Sequence, residues 1–200
     1  HRSSAASDVY KRQDKSRMHK LAIDENAFIR PSPSAGTLGG VASKTKDSII
    51  ICEAAGYDVI LLETVGVGQS ETAVSSICDF FLLLMLAGAG DELQGIKRGI
   101  MELADMLVIT KAEGHNLQHA NKARQEYQRA LHLFPAMESG WTPKVSVCSA
   151  LENTGVSEIW ETIKSYNEHI TSSNWKVENR KKQLMYCLLY TSPSPRDTLL

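Results

Sequence analysis

The segment from Asp58 to Gln69, DVILLETVGVGQ, constrains the fold more than any other part of this chain. Val59–Leu62 is a short apolar run with polar residues on both sides, which predicts a buried strand of a parallel sheet. Glu63 follows at the carboxyl end of that strand, where open α/β sheets bind ligands. Gly66 and Gly68 then allow a sharp turn that brings backbone N–H groups close to an anion. This order is typical of the Walker B and switch II region of a nucleotide hydrolase, and an ordinary strand and loop with a solvated glutamate is the alternative.

Apolar runs and helical patterns alternate along the rest of the chain. Strands are predicted at Val59–Leu62, Phe80–Leu86, Met106–Ile109 and Lys144–Cys148, with helices at 95–104, 116–134 and 156–170. Strands that alternate with helices give a parallel sheet with right-handed crossovers, so the predicted fold class is α/β. The run FFLLLML at 80–86 is apolar throughout. It is therefore predicted to be a central strand that is covered on both faces.

Two helices and a glycine-rich loop are predicted before the first strand. The first helix covers Asp14–Ile23, and the loop is Ser32–Gly40, SPSAGTLGG. The second helix covers Val41–Ala55, and Gly56 is predicted to cap its carboxyl end. Its inward residues are predicted to be Ile49, Ile50 and Ala54.

Composition limits the classes of partner and compartment. With 200 residues, of which 42% are hydrophobic, the chain is expected to form one domain around one core. A net charge of -1 gives no electrostatic basis for binding nucleic acid or a membrane surface. The four cysteines are far apart and match no zinc-binding spacing, so free thiols in a reducing compartment are expected. The longest apolar run is far shorter than the roughly 20 residues of a membrane helix, which predicts a soluble intracellular protein.

Both ends of the chain differ in composition from its middle. Residues 1–13 are polar and lack an apolar period, while the last residues carry two Ser-Pro pairs that disfavour regular structure. Residues 1–13 and 183–200 are therefore expected to be disordered linkers or sequence foreign to the natural protein. The predicted domain is 14–182.

Three segments carry a resemblance to a known family. They are NAFIRPSPSAGTLGG (26–40), CEAAGYDVILLETVGVGQSETAV (52–74) and DFFLLLMLAGAGDELQGIKRGIMELAD (79–105). Together they resemble the MeaB/ArgK group of P-loop GTPases, which act as GTP-dependent chaperones of the adenosylcobalamin enzyme methylmalonyl-CoA mutase. The resemblance implies a three-layer P-loop NTPase-type parallel sheet and extends from about residue 14 to residue 182.

The resemblance assigns candidate roles to residues around the first strand. Glu63 is expected to hold the water shell of Mg²⁺, which takes one or two carboxylates together with phosphate oxygens. Asp14, in DKSRM, is a second candidate for metal contact, and a helix-capping acid is its alternative. Gly66 is expected to bind nucleotide, and Gln69 is a candidate to orient the attacking water.

Guanine recognition is expected from the loops after the last two strands. The usual N-K-x-D motif stands here as Thr110-Lys111-Ala112-Glu113, in which Lys111 fits and Glu113 keeps two acceptor oxygens on a side chain one methylene longer. Thr110 lacks the amide that would brace the loop, which weakens the argument for guanine. Ser149-Ala150 matches the loop that places backbone N–H groups on the guanine oxygen. A plain strand-to-helix turn is the alternative.

The segment GAGDELQGIKR, from Gly88 to Arg98, resembles a third switch loop that responds to nucleotide and contacts the mutase. Its glycines allow movement, and its charged residues can exchange contacts with a partner. The expected members are Gly88, Gly90, Asp91, Glu92, Gly95 and Lys97. A solvated charged face is the alternative.

The chain contains no GxxxxGK[ST] phosphate loop. That motif wraps the β-phosphate and supplies a lysine and a hydroxyl that binds Mg²⁺. We therefore expect the natural protein to extend upstream, with the first strand, this loop and any organelle-targeting segment ahead of the present chain.

The printed chain alone is therefore expected to bind GTP very weakly and to show no measurable hydrolysis. It lacks the backbone cradle and the lysine that hold the β- and γ-phosphates. Titration calorimetry with GTP and Mg²⁺ measures this directly. A dissociation constant in the low micromolar range would contradict the expectation.

Three functions are compatible with these observations. The first is a GTPase that couples hydrolysis to cofactor loading of methylmalonyl-CoA mutase, with GTP and Mg²⁺ as cofactors. The second is a non-catalytic fragment that binds a partner through the third switch loop. The third is a related GTPase in metallocentre assembly, against which the lack of a His-rich tract or CxxC pair counts. The resemblance also implies a homodimer when intact, located in the cytoplasm or, in a eukaryote, in the mitochondrial matrix.

Overall fold

The computed structural model of the chain describes residues 18–30, 38–64, 74–86 and 98–191. The chain divides into two compact units, His1–Ile60 and Leu61–Leu200. The expectation of one domain around one core remains a prediction.

The first unit contains two described helices, α1 (His19–Ala22) and α2 (Leu38–Ala54). Gly56 ends α2 with a φ of 88°, a backbone conformation that glycine adopts without strain. The N–H groups of Gly56 and Tyr57 donate to the carbonyl oxygens of Glu53 and Cys52 at 3.0 and 3.1 Å. This pair of bonds is a Schellman motif, and it confirms the predicted cap.

Two details of α2 differ from the prediction. The helix begins at Leu38, so the carboxyl end of the predicted loop, through Gly40, is helical. Ile49 is buried with 8% of its surface exposed, as predicted, but Ile50 is 50% exposed, and Ala54 is also exposed. Consecutive isoleucines give no helical period, so hydrophobicity alone did not determine the buried face.

The second unit is built on a parallel sheet of three described strands. They are β1 (Leu82–Leu86), β2 (Met106–Thr110) and β3 (Lys144–Val147), in the order β1-β2-β3. Leu82 pairs with Met106, and Met106 pairs with Lys144. The three strands therefore start and end at nearly the same level.

Among the described residues, four helices with defined bounds accompany the sheet, together with a 3₁₀ turn at Gly114–Asn116. They are α3 (Arg98–Met101), α4 (Leu117–Leu131), α5 (Val156–Ser172) and α6 (Trp175–Thr191). The predicted helices at 95–104, 116–134 and 156–170 correspond to α3, α4 and α5, although residues 95–97 lie outside the described part. α3 ends three residues earlier than predicted, α4 is shorter at both ends, and α5 extends two residues further. Helix ends are where assignments are least certain.

Apolar side chains of β2 point alternately to the two faces of the sheet. Leu107 and Ile109 pack against Ala120, Ala123 and Tyr127 of α4. The other face holds Met106, Val108 and Cys148, with three partly buried residues packed against them: Phe80, Leu82 and Ile159 of α5. Helices cover both faces, so the second unit is a three-layer α/β structure, as predicted.

Two predictions about the apolar runs at 59–62 and 80–86 differ from the structure: the first run forms no strand, and the second forms β1 but at the edge of the described sheet. Val59–Leu62 is irregular, and Leu61 is 86% exposed. β1 lies at the edge of the described sheet, and its Leu84 is 59% exposed. A strand requires a hydrogen-bonded neighbour, and among the described strands only β2 pairs with β1. Phe80–Leu86 is therefore not a central strand within the described sheet.

A buried polar group joins the amino ends of β1 and β2. The carboxylate of Asp105, 6% exposed, accepts a hydrogen bond from the Phe81 N–H at 2.8 Å. Tyr166 of α5 also bonds this carboxylate, and the indole N–H of Trp141 donates to the Asp105 carbonyl oxygen at 3.0 Å. Burial raises the pKa of the Asp105 carboxyl from 3.8 to about 6, although these donors oppose the shift.

Helix α6 is fixed to the same end of the sheet by long-range polar contacts. Arg180 binds the Asp79 carboxylate through two hydrogen bonds of 2.6 and 2.5 Å. The side chain of Gln183, 5% exposed, donates to the Cys78 carbonyl oxygen at 2.9 Å. The predicted domain boundary after Lys182 thus falls inside a helix, and residues 183–191 are helical instead of irregular.

The Asp105→Asn variant is expected to remove one source of pH dependence from stability. The folded-state pKa of about 6 lies above the unfolded value of 3.8, so the folded state binds more protons than the unfolded state between these values. The contribution of Asp105 is fully present below about pH 4 and is lost as the pH rises through about 6. The expected loss is on the order of 2 kcal/mol.

Urea denaturation at intervals from pH 4 to pH 7 measures this effect. The native chain should lose unfolding free energy across this range relative to Asp105→Asn, and the difference should level off above pH 7. Parallel pH profiles for the two proteins would show that Asp105 does not retain its proton on folding.

Candidate functional site

Two loops meet at the carboxyl edge of the sheet. Thr110–Glu113 follows β2, and Ser149–Ala150 follows β3 after Cys148. The Cys148 N–H donates to the Ile109 carbonyl oxygen at 2.9 Å, and the Ala112 N–H donates to the Cys148 carbonyl oxygen at 3.0 Å. The structure therefore brings the two predicted base-binding loops side by side, at the edge where parallel sheets bind ligands.

Thr110 fixes the start of the first loop. Its hydroxyl donates to the carbonyl oxygen of Met85 at 2.9 Å, across the pair formed by β1 and β2. The sequence alone shows Thr110 only as a residue that lacks the side-chain amide of the usual asparagine. The structure shows that its hydroxyl connects this loop to the neighbouring strand.

Lys111 has an unusual backbone conformation. Its φ is 57°, in the left-handed region that non-glycine residues rarely occupy. Its carbonyl oxygen accepts a hydrogen bond from the Asn116 side-chain amide at 2.7 Å. Sequence analysis missed Asn116, although an asparagine close to the start of a helix commonly bonds nearby backbone groups.

Glu113 provides the carboxylate of the site. Its backbone is extended, with φ -129° and ψ 157°, and its carbonyl oxygen accepts from the Asn116 N–H at 3.0 Å. In the described part of the chain, its Oε2 atom is buried and has no hydrogen-bond partner. The pKa of the nearby Cys148 thiol is raised, first by burial and second by the charge of Glu113. A buried carboxylate oxygen without a partner is a strong acceptor for a ligand N–H.

Ser149 is completely buried and organises the second loop. Its N–H and carbonyl oxygen exchange two 3.0 Å hydrogen bonds with Thr154, and its hydroxyl accepts from the Glu152 N–H at 3.0 Å. The side chain of Ser149 is thus engaged within the turn, whereas Ala150 next to it is exposed at the rim of the site. Ser149 can therefore shape the loop, and Ala150 lies where a ligand could approach.

The remaining predicted site residues are not assembled by the structure. Glu63 is exposed in an irregular segment. The other predicted positions lie outside the described residues: Asp14, Gly66, Gln69, Gly88, Gly90, Asp91, Glu92, Gly95 and Lys97. Among the described residues, no group of three or more His, Cys, Asp or Glu side chains could hold a metal ion. None of the described helices is long and apolar enough to span a membrane.

Comparison with known proteins shows the family to which the chain belongs. The family model described as methylmalonyl Co-A mutase-associated GTPase MeaB matches residues 11–192. The chain belongs to the MeaB family. The match ends beyond residue 182 and includes all of α6.

Curated MeaB-type relatives are similar over most of the chain. The GTPase ArgK of Escherichia coli K12 is 48% identical over 170 residues, which cover 85% of this chain and 51% of the relative. The methylmalonic aciduria type A homolog, mitochondrial, of Mus musculus is also 48% identical over 170 residues, covering 85% of this chain and 41% of the relative. The Caenorhabditis elegans homologue of the same description is 42% identical over 172 residues, which cover 86% of this chain and 43% of the relative. The chain thus spans about half the length of the curated relatives it matches.

A solved structure shows the same fold. The crystal structure of LAO/AO transport system kinase aligns with a TM-score of 0.75 and 43% sequence identity, covering 84% of this chain and 52% of that one. This likeness confirms the predicted fold class, which is α/β.

Proposed function

We propose that the protein to which this chain belongs is a GTPase that couples GTP hydrolysis to adenosylcobalamin loading and protection of methylmalonyl-CoA mutase. The observation that carries the base assignment is the buried Oε2 atom of Glu113, which has no partner within the described residues. It lies in the loop that is hydrogen-bonded to the residue before Ser149-Ala150. The proposed ligand at this edge is the guanine base of GTP.

Guanine has the donors that such a site needs. Its N1–H and its exocyclic amine lie on one edge, where the Glu113 carboxylate can accept both. Adenine has an unprotonated ring nitrogen at the corresponding ring position, which would face the carboxylate without a proton. An unpaired buried polar group costs about 1 to 3 kcal/mol, so guanine is preferred. We assign Lys111 to pack along the base and the Ala150 loop to donate to the guanine oxygen.

Mg²⁺ is the second proposed cofactor. Mg²⁺ at phosphate sites keeps several waters and takes only one or two carboxylates from the protein. One exposed carboxylate, that of Glu63, is therefore enough as a protein ligand. The described residues offer no all-protein cage, which agrees with a metal bound chiefly by nucleotide phosphates and water. When bound, the ion neutralises charge on the β- and γ-phosphates. Glu63 and Asp14 are the residues proposed to hold it, Gly66 is proposed to contact nucleotide, and Gln69 is proposed to orient the attacking water.

The proposed partner is the adenosylcobalamin-dependent methylmalonyl-CoA mutase. The name of the family associates its members with this mutase, and the mouse and nematode relatives are named for methylmalonic aciduria. We propose that the intact protein is a homodimer. Its proposed location is the cytoplasm, or the mitochondrial matrix if the source is a eukaryote.

The Lys97→Ala variant tests the coupling to the mutase. The experiment uses an extended version, in which an added amino-terminal segment that carries a GxxxxGK[ST] phosphate loop precedes this chain. Because Lys97 belongs to the proposed third switch loop and to none of the nucleotide motifs, GTP affinity should stay within a few-fold. Most of the mutase's stimulation of GTP hydrolysis should disappear. Turnover is measured with and without the mutase.

Lys122→Ala is the matched control. Lys122 lies on α4 with 78% of its side chain exposed and forms a 3.9 Å pair with Glu126, so stimulation should remain as in the unmodified extended version. Full stimulation of the Lys97→Ala variant would show that Lys97 does not transmit the signal. Loss of GTP binding in that variant would place Lys97 at the phosphate site instead. An unmodified extended version that the mutase does not stimulate would contradict the proposed function.

A further inference from the structure

The loop from Thr110 to Asn116 is held in a conformation that its own backbone does not favour. Lys111 has a φ of 57°, and Gly114 has a φ of 52°. Glycine adopts such angles readily, whereas a lysine does so only when other contacts hold it there. Some contact must therefore hold Lys111 in the left-handed region.

The side chain of Asn116 provides that contact. Its Nδ2 atom donates to the Lys111 carbonyl oxygen at 2.7 Å, spanning five residues. Its backbone N–H donates to the Glu113 carbonyl oxygen at 3.0 Å. The two bonds from one residue enclose the segment Lys111–Glu113 and fix both of its ends.

The segment Lys111–Glu113 also carries the Glu113 carboxylate, whose Oε2 atom has no hydrogen-bond partner among the described residues. Between the two ends held by Asn116, the Ala112 N–H is bonded to the Cys148 carbonyl oxygen at 3.0 Å, and Glu113 is extended. This path leaves Glu113 Oε2 buried and, within the described part of the chain, unbonded. If Lys111 relaxed to an ordinary φ, the direction of the chain after it would change, and the carboxylate would leave this position.

We propose that Asn116 is a positioning residue for guanine recognition, which holds Lys111 in the left-handed conformation and so directs the Glu113 carboxylate at the base. This inference rests on the proposed function, since it assigns guanine to the Glu113 site. The side-chain amide of Asn116, in the 3₁₀ turn, thus braces the loop. Thr110, at the first position of the motif, has no side-chain amide with which to do so. Asn116 acts through the loop, by its bonds to the carbonyl oxygens of Lys111 and Glu113.

The test compares three variants of the full chain. Asn116→Ala removes the amide, and Asn116→Asp keeps its shape but replaces the donor with a carboxylate that cannot donate. Asn121→Ala is the matched control, because the Asn121 amide makes an ordinary 3.0 Å bond to the Leu117 carbonyl oxygen in α4. Hydrogen exchange of the Ala112 amide reports the loop without any ligand, while NMR titrations with GMP and IMP report base discrimination. IMP lacks the exocyclic amine and can give Glu113 only one donor.

In both Asn116 variants the Ala112 amide proton is expected to exchange about tenfold faster than in the native chain. Losing the bond from the Asn116 amide to Lys111 should raise the equilibrium constant for opening of the loop by about that factor. Their ratio of GMP to IMP affinity should fall towards one. Asn121→Ala should leave both readouts unchanged. Loss of global stability alone would not change the ratio of two affinities.

The outcomes separate this inference from the proposed function. Native exchange at Ala112 and a native GMP to IMP ratio in both Asn116 variants would overturn the positioning role. A native chain that binds GMP no better than IMP or AMP would overturn guanine recognition at Glu113 and with it the role of Asn116 in base choice. In that case, unchanged Ala112 exchange would also refute the conformational role.

Discussion

Replacing Gly155 by alanine is expected to destabilise the second unit by about 4 kcal/mol. Gly155 has a φ of 75° and precedes α5 as its N-cap. A Cβ atom at this position would lie 2.3 Å from the Val147 carbonyl oxygen and 3.1 Å from the Cys148 Cα. Both are backbone atoms at the end of β3, so the clash cannot be relieved by a side-chain rotation. The left-handed backbone adds about 1 to 2 kcal/mol for a residue with a Cβ.

Gly140→Ala separates the two causes. Gly140 also has a positive φ of 71°, but a Cβ there would meet only the His169 Nε2 atom, at an ordinary 3.7 Å. Its expected cost is therefore about 1 kcal/mol, from the backbone conformation alone. Urea denaturation followed by tryptophan fluorescence measures both variants, because Trp141, Trp160 and Trp175 all lie in the second unit. Equal losses in the two variants would show that the close approach at Gly155 is relieved by small movements.

The elements at the centre of the second unit could be predicted from the sequence. β2 is an uninterrupted apolar run, and Met106, Leu107, Val108 and Ile109 are each 0 to 1% exposed. α4 repeats Ala120, Ala123 and Tyr127 at helical spacing, and all three are buried. Elements that are buried this completely show a hydrophobic pattern within a short stretch of sequence, which is enough to predict them.

The elements at the margin of the sheet could not be predicted in the same way. Val59–Leu62 is as apolar as β2, yet it is irregular. Whether an apolar run becomes a strand depends on a hydrogen-bonded neighbour elsewhere in the chain. Single-sequence patterns contain no information about that neighbour, and the same limitation explains why Phe80–Leu86 was expected at the centre of the sheet.

The sequence predicted where the loops of the candidate site lie but not their supporting contacts. Lys111, Glu113 and Ala150 were proposed because their positions after strands match a known motif, and the structure places their two loops side by side. Asn116 and Gly155 were missed, because their roles depend on a side-chain bond across five residues and on an approach of two backbones. Asp105 was missed for a similar reason, since its partners Phe81 and Tyr166 are distant in sequence.

The Glu113→Gln variant is expected to reverse base preference from guanine to xanthine. Xanthine carries a carbonyl oxygen in place of the exocyclic amine of guanine and keeps the N1–H. The Glu113 carboxylate can accept from both guanine donors but would face the xanthine oxygen with a like charge. A glutamine in its place can accept from N1–H and donate to that oxygen.

The size of the reversal follows from the cost of leaving buried polar groups unpaired. Each mismatch costs about 1 to 3 kcal/mol, so GTP should bind the variant about 10 to 100 times more weakly, and XTP should gain by a similar factor. The ratio of the two affinities should therefore change by about 10² to 10⁴. Competition binding of GTP, XTP and ATP to the extended version measures it.

Glu126→Gln is the matched control for the change of charge. Glu126 lies on α4 in an exposed pair with Lys122, so its replacement should leave all three affinities as they are. If Glu113→Gln weakened GTP and XTP equally, the carboxylate would support the loop without reading the base. If GTP binding did not change, the buried Oε2 atom would not face the nucleotide, and guanine would have to be recognised by backbone groups of the Ser149-Ala150 loop.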